Sequence, residues 1–244
     1  MKTGSNSRIA LVTGSSRGLG RAIALRLAEE PEVGGVAVHY RSEREAALQV
    51  ARLIRDRGKR STVIWADLYQ EKHCGRILNT AAQRLGGVDI LVNNFGPLLI
   101  TPWKDVTSAE CQRIHRGNFL SALHCLQAAL PAMKAGGWGR VVNIGYHRVE
   151  QWSAFPGILP YAAAKAALLL MTRTAAAAEA GSGVTVNMVS PGLLRGGKLP
   201  AGKKIPRGLV GDPADVAEAV AWIVSDRAAG VTGANIIVAG TWRM

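Results

Sequence analysis

Two hydrophobic rhythms alternate along this chain. Short runs rich in Val, Ile and Leu are separated by longer stretches whose apolar positions recur every three to four residues, the periods of a strand and of a helix. The runs at Ile9–Val12, Val36–His39, Thr62–Trp65, Ile90–Val92, Arg140–Ile144, Val184–Asn187 and Asn235–Val238 predict strands. Stretches near 18–30, 42–58, 70–86, 107–134, 160–181 and 213–225 predict helices, most of them opened or closed by Gly, Pro, Ser or Asp. Alternation at this spacing requires crossover connections, so the expected class is α/β, with a doubly wound parallel sheet of about seven strands and helices on both faces. No linker, repeat or low-complexity tract divides the chain, and 1–244 is read as one domain with a flexible arm over 1–7.

Composition changes the picture in one respect, its sign of charge. Among 244 residues, 30 Lys+Arg stand against 17 Asp+Glu, a formal charge of +13. With 48% hydrophobic and only 19% charged residues this is a globule with a core, not a basic disordered arm. The excess favours acidic partners: a phosphorylated cofactor, an acidic protein, nucleic acid or an anionic surface. Nucleic acid is disfavoured, since no binding motif is present and aromatics are only 5% of the chain. Cys74, Cys111 and Cys125 form no C-x-x-C pair and have no zinc-type His spacing, so neither a disulfide framework nor a metal site is expected. The polar N-terminus has no signal-peptide pattern and no long apolar stretch follows, which reads as a soluble cytoplasmic protein with no membrane contact.

The first predicted strand runs straight into Thr13-Gly14-Ser15-Ser16-Arg17-Gly18-Leu19-Gly20, and a helix follows. Glycines at 14, 18 and 20 permit a tight turn and close approach of the backbone to a pyrophosphate, whose charge the helix N-terminus meets. The spacing is G-x-x-x-G-x-G. Further on come Asp67-Leu68, Asn93-Asn94-Phe95-Gly96, Asn118, Tyr161-Ala162-Ala163-Ala164-Lys165 and Pro191-Gly192, in that order. Over nearly its whole length the chain thereby resembles the short-chain dehydrogenase/reductase family, whose members carry a Rossmann-type domain.

That resemblance implies a nicotinamide cofactor across the C-terminal edge of the sheet, held by Gly14, Ser16, Arg17, Gly18, Leu19 and Gly20, with Gly192 and Leu194 beyond. Asp67 and Leu68 would flank the adenine, and Asn93 with Gly96 would wall the adenosine ribose. The second strand ends His39-Tyr40-Arg41-Ser42 with no carboxylate before Glu43; Arg41 and Arg17 are therefore candidates to grip a 2′-phosphate, favouring NADPH over NADH, unless both are simply solvated charges.

Tyr161 and Lys165 stand one helical turn apart and share a face. An ammonium beside a phenol favours phenolate and is expected to bring Tyr161 toward the working pH range. The resemblance makes Tyr161 the proton donor to a carbonyl, Lys165 its tuner and a ribose ligand, and Asn118 the holder of a relay water. The chain departs from the family where N-I-S-S or N-I-G-S is usual: it reads Asn143-Ile144-Gly145-Tyr146, so the carbonyl-polarising serine is Tyr146. Three readings stay open: Tyr146 or His147 (or Ser153) supplies the donor, the enzyme works without it, or the chain binds nicotinamide with little chemistry.

The segment 193–207 reads as a short substrate lid carrying Arg195, Lys198, Lys203, Lys204 and Arg207. It is either a solvated loop or a cationic mouth that docks a carbonyl borne on an acidic protein. The chain is similar to bacterial 3-oxoacyl-(acyl-carrier-protein) reductases. Asn93-Asn94-Phe95-Gly96-Pro97 with Tyr146 also resembles a smaller subgroup associated with a ketone on modified elongation factor P. Family assemblies imply a homodimer or homotetramer.

Overall fold

The computed structural model describes residues 7–197 and 210–240. Seven strands, β1 (Arg8–Val12), β2 (Val33–Tyr40), β3 (Arg60–Trp65), β4 (Ile90–Asn93), β5 (Gly139–Ile144), β6 (Val184–Pro191) and β7 (Asn235–Val238), form one sheet in the order β3-β2-β1-β4-β5-β6-β7, every pair parallel. The helices are α1 (Gly18–Leu27), α2 (Arg44–Asp56), α3 (Glu71–Leu85), α4 (Ser108–His115), α5 (Ser121–Ala135), α6 (Leu159–Ala178) and α7 (Pro213–Val224).

Successive strand residues feed opposite layers. On β1, Ile9 and Leu11 join the core shared with α3, α5 and α6, whereas Ala10 and Val12 join the core shared with α1, α2 and α7. A sheet covered on both faces has no solvent side, which is why its strands read as unbroken apolar runs and not as alternating ones. The helices each bury one stripe: Ala47, Val50, Ala51 and Ile54 of α2 recur at three- and four-residue steps, as do Cys74, Ile77, Leu78, Ala81 and Leu85 of α3. Local chemistry sets several ends. Thr107 and Glu110 close a capping box at α4, Asp212 caps α7 ahead of Pro213, and Gly86 ends α3 in the left-handed conformation.

The stretch predicted as one helix over 107–134 is interrupted. Arg116–Leu120 forms a π-helical turn between α4 and α5. Within it Asn118 is buried, and its Nδ2 donates to Ile114 O at 3.1 Å and Pro97 O at 2.9 Å. Gly117 is required alongside, since a Cβ there would lie 2.6 Å from Pro97 Cδ. A single π turn of this kind commonly marks a functional position, because it redirects a side chain without ending the helix.

Winding out through β2 and β3 and then returning to β4 makes the β1/β4 boundary the topological switch point, where the connections part and leave a crevice at the strand C-termini.

Candidate functional site

The crevice is a cleft of about 490 Å³ lined by the β1–α1 loop (Gly14, Ser16, Arg17), the first turn of α1 (Gly18, Leu19, Gly20), the end of β2 (His39 to Glu43), Tyr69, and Asn94 to Pro97. Its floor is made of backbone brought close by small residues. A Cβ on Gly20 would lie 2.3 Å from Gly14 O, and Gly14 itself has φ of +65°. Two tight knots hold this loop. Thr13 Oγ1 accepts from Asn94 N and Phe95 N, both at 2.9 Å, while Asn94 Nδ2 donates to Thr13 O and Gly14 O. On the other side, buried His39 accepts the Gly14 N–H at Nδ1 (2.8 Å) and meets Ala66 O with Nε2 at 3.1 Å. An acceptor at Nδ1 and a carbonyl at Nε2 fix the neutral Nε2–H tautomer. Burial pushes His39 down to about 4, so it stays uncharged at neutral pH.

At the inner end of the cleft, Gly96 is the point of convergence: a Cβ there would lie 2.3 Å from Asn118 Oδ1 and 3.4 Å from Lys165 Nζ. Lys165 is buried and donates from Nζ to Ile144 O at 2.6 Å, with Nζ 5.7 Å from the Tyr161 ring centre. Asn118 Oδ1 is buried and has no hydrogen-bond partner among the described residues, an acceptor aimed where the lysine and the cleft meet. Tyr146 is 8% exposed, its ring edge-on to Tyr161 at 5.5 Å and to Phe155 at 6.0 Å. Phe155 lies under the Arg148 guanidinium.

The profile of the family described as Enoyl-(Acyl carrier protein) reductase matches residues 14–241. The chain belongs to the short-chain dehydrogenase/reductase family. It is an oxidoreductase by that membership. It is 32% identical to 3beta-hydroxysteroid dehydrogenase 1 of Eggerthella lenta, covering 94% of this chain and 91% of that one. Identity is also 32% to the 3-oxoacyl-(acyl-carrier-protein) reductase of Staphylococcus epidermidis, over 96% and 98%. A crystal structure of a blue fluorescent protein from a metagenomic library, in complex with NADPH, superposes with a TM-score of 0.88 at 33% identity, over 98% and 99%.

A dinucleotide of this family fits the cleft, whose glycine floor a Cβ would fill and whose rim carries Arg17 and Arg41. Of the residues singled out in sequence, Gly14, Ser16, Arg17, Gly18, Leu19, Gly20, Arg41 and Gly96 line it. Asn93 does not. The last residue of β4 is buried, and its Nδ2 donates to Asn143 Oδ1 at 2.9 Å; Asn143 Nδ2 in turn donates to Thr172 Oγ1 of α6. This chain of amides links β4, β5 and α6, and the neighbouring Asn94 is the amide that lines the cleft. Leu68 is likewise a core side chain, and Asp67 spends its Oδ1 on Tyr69 N; Tyr69 is the residue of that segment on the cleft. Neither Gly192 nor Leu194 lines it: a Cβ on Gly192 would lie 3.0 Å from Ala239, and Leu194 bridges to Gly211. Ser153 is exposed and accepts from Arg148 Nη2.

The electrostatic expectation at the pair also needs correction. Lys165 does not draw the Tyr161 phenol downward. Burial pushes Tyr161 upward, with neighbouring Tyr146 adding to the rise, while burial pushes Lys165 down to about 7. Desolvation penalises each charged form and is the first cause of both shifts. Burial also holds Tyr146 at about 12, a neutral donor.

Sequence reading missed Thr13, His39 and Asn94. Asn94 had a signal, its place in Asn93-Asn94-Phe95-Gly96; a histidine within a buried strand had none beyond its polarity.

Of the proposed lid and its basic cluster, Lys198, Lys203, Lys204 and Arg207 lie outside the described residues, as do the first six residues of the proposed arm. Arg195 is described, with Nη2 3.5 Å from Asp212 Oδ2. No helix among the described residues is long and apolar enough to cross a membrane.

Proposed function

We propose that this chain is an NADPH-dependent carbonyl reductase that converts a ketone to a secondary alcohol, with Tyr161 as proton donor. The observation that carries the reading is the meeting of Tyr161, Lys165 and Asn118 at the inner end of a glycine-floored cleft. NADPH, when bound, supplies the hydride. Tyr161 keeps its proton across the physiological range and is therefore an acid that gives a proton only to a developing alkoxide. Lys165, at about 7, exchanges a proton near neutral pH, and Asn118 Oδ1 offers the acceptor that orients a water toward it. Tyr146 supplies the second hydroxyl at the carbonyl oxygen in place of the family serine, its ring anchored by Phe155. Arg17 and Arg41 on the cleft rim are the groups suited to a 2′-phosphate.

The relatives named for 3-oxoacyl-(acyl-carrier-protein) reduction and for steroid oxidation leave two substrate classes, a ketone on an acidic carrier and a free apolar ketone. The charge of +13 favours the carrier-borne one, with a ketone on a modified elongation factor as its variant. We read 1–244 as one cytoplasmic reductase domain, assembled as a homodimer or homotetramer through exposed apolar side chains such as Leu170 of α6.

Tyr161→Phe tests the mechanism: NADPH oxidation with ketone should fall about 10³-fold while nucleotide binding, followed by fluorescence, stays within about twofold. Full turnover in that variant sinks the proton-donor assignment. A ketone panel in free and carrier-bound form, repeated at rising salt, separates the two substrate classes.

A further inference from the structure

Glu43 occupies a position with two competing uses. It is the N-cap residue of α2, where a carboxylate ordinarily accepts from its own first-turn N–H groups and gains from the helix dipole. Here it makes no such side-chain bond. Instead Oε1 accepts from Nη1 of Arg17, which lies on the opposite rim, between the glycine loop and α1. Both residues line the cleft, together with Arg41, Ser42 and Tyr69. Arg41 is held apart from this pair, its backbone oxygen accepting from Trp65 Nε1 at 2.9 Å and its guanidinium 5.4 Å from the Tyr69 ring centre.

We propose that Glu43 sets the nucleotide preference of the cleft by occupying Arg17, so that a 2′-phosphate must displace the carboxylate to reach the guanidinium and gains only Arg41 without competition. The inference rests on the nucleotide-cleft reading above. An exposed ion pair of this kind contributes little to folding, so its charge is free to act on ligands. A 2′-phosphate brings close to two negative charges against one carboxylate, and loses both attraction to Arg17 and gains repulsion from Glu43. A ribose 2′-OH is indifferent to the first effect and tolerates the second. The preference for NADPH is therefore narrower than two rim arginines alone would produce.

The test uses fragments that carry no nicotinamide. Calorimetric binding of adenosine 2′,5′-bisphosphate and of 5′-AMP is compared in the wild-type chain, Glu43→Gln, Arg17→Ala and the double variant. Glu43→Gln should tighten the bisphosphate about fivefold and 5′-AMP less than twofold, and that gain should shrink at high salt. In the Arg17→Ala background the gain should vanish, because the competition has lost its object. Equal tightening of both fragments, no tightening of either, or a gain that survives without Arg17 overturns the proposal. Failure of either fragment to bind the wild-type chain sinks the nucleotide-cleft reading itself, and is distinct from all three.

Discussion

The two ends of the cleft are built from different materials. At the glycine-loop end, position is fixed by hydrogen bonds to backbone: Thr13, Asn94 and His39 together tie down Gly14 and the two segments after β1 and β4. At the Tyr161 end it is fixed by packing, with Tyr146, Phe155 and Tyr161 meeting edge to face and Lys165 buried beneath. The first arrangement binds by geometry and carries little perturbed chemistry beyond one neutral histidine. The second is marked by desolvation, which raises two phenols and lowers an amine. Substitutions should therefore fail in different ways at the two ends.

The largest effect is expected at Gly20. An added Cβ meets Gly14 O at 2.3 Å, a backbone atom that cannot swing aside. Gly20→Ala should weaken nucleotide binding at least about 100-fold by calorimetry and lower the unfolding midpoint. Near-normal affinity would mean that the loop is softer than its hydrogen bonds imply.

Lys165 breaks the comparison in the other direction. Lys165→Met should abolish turnover yet stabilise the fold by about 2 kcal/mol at pH 7, since it removes a buried amine at the loss of one bond to Ile144 O. The folded chain binds the Lys165 proton less tightly than the unfolded chain, so between about pH 7 and the free-lysine value near 10.4 the unfolded state holds more protons. Wild-type stability accordingly gains from this group as pH rises through that window. Urea denaturation at pH 7 and pH 9.5 should show the variant's advantage shrinking, whereas an advantage that is constant with pH would locate the effect elsewhere.

His39→Leu leaves the Gly14 N–H without its acceptor and should weaken nucleotide binding about tenfold. Its effect should fall on affinity more than on kcat. Equal loss in both would indicate that the loop and the Tyr161 end move together. Smallest is the folding effect of Tyr146→Phe, which keeps the ring contacts with Tyr161 and Phe155; its unfolding free energy should change by less than about 0.5 kcal/mol. Turnover should nevertheless drop about tenfold or more if the hydroxyl serves the carbonyl. An unchanged rate would reduce Tyr146 to a packing residue.

Legibility differed at the two ends for physical reasons. Glycines at 14, 18 and 20 between a strand and a helix are a local requirement of close backbone approach, and local requirements are written in consecutive letters. The roles of Asn93 and Asn94 were not separable that way. Adjacent residues at a strand end point to opposite sides, and only the position of β5 decides which amide meets Asn143 and which meets Thr13. The π turn at Arg116–Leu120 was also hidden, because one extra residue in a helix scarcely alters its apolar periodicity.

By itself the sequence determined a parallel α/β sheet, a glycine loop between its first strand and first helix and a Tyr-Lys pair on one helix face, since each depends on periodicity or spacing along the chain. Tertiary structure alone decided the rest. It put Glu43 across from Arg17, turned Tyr146 against Tyr161, and buried Lys165 deeply enough to bring it to about 7. Those outcomes depend on what surrounds a group in space, and desolvation and competition for a charge have no local signature in the chain.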